Sequence, residues 1–133
     1  IMKTLEERLR SGFSNYLIYP EGTRNKDFEN SACLPFHPGS FKSAMRANVV
    51  LLPMALYGTF RVLKPSPNDK RIPVEAAFLD PIFPKDYEGK NTEEVASFVQ
   101  KEIEKKVLSF KKMDLDFYEK GYQKVPLKRG KIR

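Results

Sequence analysis

The sequence predicts an α/β fold with a largely parallel sheet and flanking helices. Three observations carry that prediction. Apolar runs of strand length, at 15–19, 49–57 and 72–79, alternate with stretches of helical periodicity. The run at 49–57 is continuously apolar, as expected of a strand covered on both faces. The last helical stretch, 92–110, sets Val95, Val99, Ile103 and Val107 in one stripe that faces a core.

Each element has a local reason. Thr4 with Glu7 has the form of a capping box, and Leu5 and Leu9 are an i, i+4 apolar pair that Gly12 brings to a stop. Residues 15–19 read as a buried strand that ends at Pro20, and 21–35 as a polar loop. In 40–47 a helix puts Phe41, Ala44 and Met45 on one face, and Asn48 is its left-handed cap. Within the next strand, Pro53 removes one ladder donor and predicts a bulge or an edge. A Pro/Asn/Asp-rich loop at 61–70 leads to the strand at 72–79, closed by Asp80-Pro81. Asn91, with Glu94 three residues on, caps the long helix.

The chain of 133 residues is enough for one domain with a modest core. Its longest apolar run is broken by Pro53 and is far below the ~20 residues needed to span a bilayer. The first residues are charged, unlike a secretory signal, and the chain starts at Ile1, so upstream sequence is expected to be missing. A single cysteine, Cys33, excludes an internal disulfide and a thiolate zinc cluster within the chain, and fits a reducing compartment. The formal net charge of +7 is unevenly placed. Residues 120–133 hold six basic side chains and no acidic one, which leaves 18 basic against 17 acidic in the rest. The chain therefore divides into a near-neutral body, 1–112, and a basic tail, 113–133. Such a tail attracts anionic lipid or nucleic acid, or is simply a solvated end. Phe117, Tyr118 and Tyr122, interleaved with Lys112, Lys120 and Lys124, fit either a membrane interface or a single-stranded nucleic acid.

The chemistry concentrates at the end of the first apolar run, in Glu21-Gly22-Thr23-Arg24. Ligands of open α/β sheets bind beyond the carboxyl ends of strands. Gly22 permits a sharp turn and a close approach. Arg24 offers a planar fork of donors matched to phosphate oxygens, and Thr23 adds a hydroxyl or an amide. Glu21 either holds Arg24 or accepts from a ligand hydroxyl. The plainer alternative is a turn with a surface Arg–Glu pair, worth only ~0–1 kcal/mol. Neither nucleotide-loop pattern, G-x-x-x-x-G-K-[ST] or G-x-G-x-x-G, occurs. Cys33 and His37 lie four apart in a loop without an orienting partner, a poor nucleophile–base pair.

Tyr19-Pro20-Glu21-Gly22-Thr23-Arg24-Asn25 is followed by Pro35-Phe36-His37-Pro38-Gly39-Ser40-Phe41, by the apolar block 49–55 with Pro53, and by Asp80-Pro81-Ile82 before the long helix. In this order the elements resemble the glycerophospholipid acyltransferase family, typified by 1-acylglycerol-3-phosphate acyltransferases, over roughly residues 3–110. The resemblance implies a mixed, largely parallel sheet, of which this chain is the carboxy-terminal part. It implies that Arg24 binds the acceptor phosphate in a pocket built by Glu21, Gly22 and Thr23, and that Phe36, Gly39 and Pro53 shape the acyl or acceptor site. It implies transfer of a fatty acyl group from acyl-CoA or acyl carrier protein to lysophosphatidate, giving phosphatidate for phospholipid synthesis, with no further cofactor and no metal. It also implies work at the cytoplasmic face of a membrane with anionic lipids, peripherally or through an anchor outside this chain, and no nucleic-acid partner.

One departure stands out. The family's general base is the His of a His-x-x-x-x-Asp element that precedes the phosphate motifs, and the Asp orients it. Here the single histidine, His37, follows the Arg24 block and is paired at that spacing with Lys42. No catalytic residue is therefore expected in this chain, and His37 reads as a loop or rim residue. A non-catalytic lipid-binding module, and acyl transfer to glycerol-3-phosphate, a lysophospholipid or a glycolipid, are the remaining alternatives.

Overall fold

In a computed structural model the described residues are 2–63 and 73–119. Their elements are α1 (Met2–Arg10), α2 (Gly39–Ala47), β1 (Met54–Tyr57), α3 (Phe60–Leu63), β2 (Glu75–Phe78), α4 (Pro84–Tyr87) and α5 (Thr92–Glu119). Helices and strands are mixed, but the predicted largely parallel sheet is replaced by a two-stranded antiparallel pair. Met54 opposes Phe78 and Tyr57 opposes Glu75. The connection out of β1 carries only the single-turn helix α3 among its described residues, not the long crossover helix that usually brings a chain back parallel.

Pro53 behaves as its missing donor requires. Regular pairing begins after it, at Met54. Its carbonyl still accepts from Leu79 N at 2.9 Å, and Leu51 and Ile82 exchange a pair of bonds at 3.0 and 2.8 Å beyond it. The ladder thus continues past the proline with one rung altered.

The strand predicted at 15–19 does not form. Residues 13–18 make no backbone–backbone hydrogen bond among the described residues, and Leu17 is 71% exposed. Apolar patterning supplies a strand's side chains, but only a neighbour's backbone makes it a strand. The segment at 49–57 is likewise covered on one face only. Ala55 is fully buried on the side that packs against α5, whereas Val50, Leu52 and Leu56 are exposed, as are Val74 just before β2 and Phe78 at its end. The outer face of the pair is thus apolar and open.

The helices follow their local signals more closely. α1 is already formed at Met2, so Thr4 lies inside it rather than at its cap, and Gly12 ends it with a positive φ of 67°. Asn48 is the left-handed cap of α2, with φ 57°, its amide bonded to Met45 O. At α5 the reciprocal cap is complete: Glu94 N donates to Asn91 Oδ1 at 2.9 Å, and Asn91 N to Glu94 Oε2 at 2.8 Å. Val95, Val99 and Val107 are buried with Phe110, and Ile103 is partly buried against them. α5 runs past its predicted end at 110 to Glu119, because no Gly or Pro interrupts it there and the buried Asp114 finds a partly buried partner in Arg61. The core gathers Phe36, Phe41, Ala55, Ile82 and Tyr87 against α5. Tyr87 secures the junction through a 2.9 Å bond from its hydroxyl to Val49 O.

Candidate functional site

The stretch from Pro20 to Arg24 is a tight turn. Gly22 N donates to Tyr19 O at 3.1 Å, with Gly22 at a φ of 67° that favours glycine. A second strap, 34–37, lies against it. Glu21 Oε2 accepts from Leu34 N at 2.8 Å, and Pro20 O accepts from His37 N at 2.8 Å. A Cβ on Gly22 would sit 3.0 Å from His37 Cδ2, so the imidazole edge closes directly over the glycine. Two stretches twelve or more residues apart are thereby fixed face to face.

Each predicted site residue can now be located. Glu21 spends its carboxylate on the Leu34 amide rather than on Arg24, which answers the Glu–Arg pair alternative. Thr23 and Arg24 are exposed, and Arg24 has no hydrogen bond or ion pair among the described residues. An unengaged guanidinium beside a rigid turn is free to meet an anion. Phe36 is buried in the core, its amide donating to Gln100 Oε1 at 2.9 Å, so it anchors the strap to α5. Gly39 opens α2, with free space where a Cβ would stand. Pro53 is buried and lines a separate groove of about 390 Å³ that contains no residue of 20–24. The structure thus joins Glu21, Gly22 and the 34–37 strap, with Thr23 and Arg24 at their edge, and does not bring Pro53 to them in that groove.

His37 is exposed, and its contact with Gly22 makes it a member of the site's wall. Sequence reasoning placed it at a rim. Its ring contact with Gly22 was not legible, because no local pattern joins the two positions. Cys33 is buried. Burial pushes its thiol up to about 12, with the negative charges of Glu21 and Glu104 adding to the effect. It stays protonated at neutral pH and is no nucleophile.

Behind the turn, residues 25–31 form a compact loop of their own. Asn25 Nδ2 donates to Ser31 O at 2.9 Å, and Asn30 Nδ2 to Asp27 Oδ1 at 2.8 Å. Phe28 stacks on Phe60 of α3 with ring centroids 3.8 Å apart, and Lys111 of α5 donates to Glu29 O. The adjoining Arg61 meets Asp114 in a fork of 2.8 and 2.5 Å bonds and lies over the Phe60 ring at 4.7 Å. Sequence reasoning missed this cluster, because its contacts join residues 53 and 82 positions apart and no local pattern links them. Glu75 belongs to it too. Its Oε2 is buried without a hydrogen-bond partner among the described residues, and burial first, then the charge of Asp114, raise its pKa. Among the described residues no group of three His, Cys, Asp or Glu is placed to hold a metal ion. None of the described helices is long and apolar enough to cross a membrane.

Residues 1–57, which hold the turn and the 34–37 strap, match the family model for Acyltransferase. That match supports acyl transfer in general terms. No curated protein and no solved structure matches the chain.

Proposed function

We propose that this chain is the acceptor-binding part of an O-acyltransferase, and that Arg24 receives the phosphate of 1-acylglycerol-3-phosphate. The observation that carries the reading is the unengaged Arg24 beside a turn already closed by Glu21 and by the 34–37 strap. Because Glu21 is occupied by a backbone amide, the guanidinium keeps its full fork for two phosphate oxygens. The N-terminus of α2 follows the strap directly and favours negative charge nearby. In the reaction, the acceptor hydroxyl oxygen attacks the thioester carbonyl of acyl-CoA or acyl carrier protein. The C–O bond forms, the C–S bond breaks, and the thiol leaves with the hydroxyl's proton. No His-x-x-x-x-Asp occurs here, so the reading assigns this chain phosphate binding and pocket shape, and assigns it no proton transfer.

Membrane attachment at a cytoplasmic, anionic surface fits both a lipid acceptor and the basic tail, whose residues 120–133 lie outside the described ones. Glycerol-3-phosphate presents the same phosphate and is the alternative acceptor. The lack of a dyad favours one second reading, a lipid-phosphate binding module without turnover. The test is Arg24→Ala in the complete protein, with acyl transfer measured over a panel of acceptors. A fall in acceptor kcat/KM of two orders of magnitude or more is expected, and a change below about threefold removes Arg24 from the site. Liposome binding with no turnover on any acceptor favours the module.

A further inference from the structure

We propose that the groove between the 78–82 segment and α5 is the docking site of the chain's own basic tail, residues 120–133. The groove, about 390 Å³, has an apolar floor in which Pro53, Phe78 and Phe98 take part. Phe98 is 48% exposed on the α5 wall, and Phe78, 67% exposed, stands at the outer edge of the groove, so apolar surface is open to solvent along it. Its rim is acidic, with Asp80, Asp86 and Glu102 against a single cation, Lys106. Asp86 is partly engaged, accepting from Phe83 N at 2.8 Å. Asp80 and Glu102 are exposed and have no partner among the described residues. An apolar cleft with unpaired carboxylates at its edge fits a cationic segment that also carries apolar side chains.

The tail has that chemistry. Lys120, Lys124, Lys128, Arg129, Lys131 and Arg133 are interrupted by Tyr122, Val125 and Leu127, with no acidic residue. It also starts within reach. α5 ends at Glu119, 17 residues beyond Glu102 and 21 beyond Phe98, or ~26 and ~32 Å back along the helix axis. An extended chain of 14 residues spans up to ~46 Å, so its second half, from about Leu127 onward, reaches the groove. Being tethered, it is present there at an effective concentration on the order of millimolar, ahead of a free basic peptide. This docking does not depend on acyl transfer or on Arg24, so either reading can fail without the other; the same cations meet an anionic membrane only when the tail has left the groove.

The test uses the full chain with a benzophenone amino acid in place of Phe98, irradiated at low protein concentration, digested and mapped by mass spectrometry. Crosslinks to residues 120–133 are expected, concentrated at 127–133. They should fall at least fivefold when Asp80→Asn and Glu102→Gln remove the rim charges. They should hold when Glu7→Gln and Glu93→Gln remove equal charge elsewhere. Circular dichroism of each variant should be unchanged, because all four carboxylates are exposed. Absence of tail crosslinks, an equal loss with both charge pairs, or crosslinks that join two copies of the chain would overturn the proposal.

Discussion

Replacing Asp114 with alanine removes the carboxylate that holds the α3 turn to the end of α5. Asp114 is 3% exposed, and its two oxygens take the Arg61 fork at 2.8 and 2.5 Å. Removing one partner of a buried pair costs about 3–5 kcal/mol, because the remaining charge stays buried and uncompensated. Arg61 keeps its contact with Pro73 O at 3.4 Å and its positions over the Phe60 and Tyr57 rings, which places the expected loss at the low end, about 3 kcal/mol. For a chain of this size that is a fall in Tm of roughly 10 °C. Urea unfolding followed by circular dichroism measures it as a lower midpoint at unchanged slope. The double variant Arg61→Met with Asp114→Leu should recover most of the loss, since replacing both charges leaves neither unpaired. A loss below about 1 kcal/mol for Asp114→Ala would equate the pair with an exposed surface bridge and refute the reasoning.

Glu75 supplies a pH dependence of known sign. Its pKa is raised by burial and by Asp114, so the folded chain holds that proton to higher pH than the unfolded one, and its contribution to stability is lost as pH rises through the carboxylate range and above. Glu75→Gln should flatten that part of the stability–pH curve, read from urea midpoints at several pH values. Gly22→Ala should cost about 1–2 kcal/mol, from the positive φ together with a Cβ only 3.0 Å from the His37 ring, and should weaken acceptor binding as well. Cys33 should resist thiol alkylation at pH 7.5 until the chain unfolds, as timed by mass spectrometry in rising urea.

What was legible in the sequence was what local chemistry decides. Asn48 and the Asn91–Glu94 box are settled within four residues of themselves, and both caps formed where they were read. Glycine at position 22 announced a turn, and the turn is there. What needed a distant partner was not legible. The 15–19 run has the side chains of a strand and no neighbouring backbone to make it one. The antiparallel sense of β1 and β2 depends on the path of the chain between them, which side-chain patterning does not encode. Glu21 was read against its near neighbour Arg24, while its partner is an amide thirteen residues away. Arg61 and Asp114 stood in segments that Pro/Asn/Asp composition marked as a loop and that charge marked as the start of a tail.

The central claim is that the Glu21–Arg24 turn and the 34–37 strap hold a phosphate. It is tested most directly by titrating the isotopically labelled chain with glycerol-3-phosphate and following backbone amides by NMR. The account predicts saturable shifts at Gly22, Thr23, Arg24 and His37 that vanish in Arg24→Ala, with the rest of the spectrum of that variant unchanged because Arg24 has no partner among the described residues. Shifts confined to residues outside the turn and strap, or shifts at these amides that survive Arg24→Ala, would contradict it.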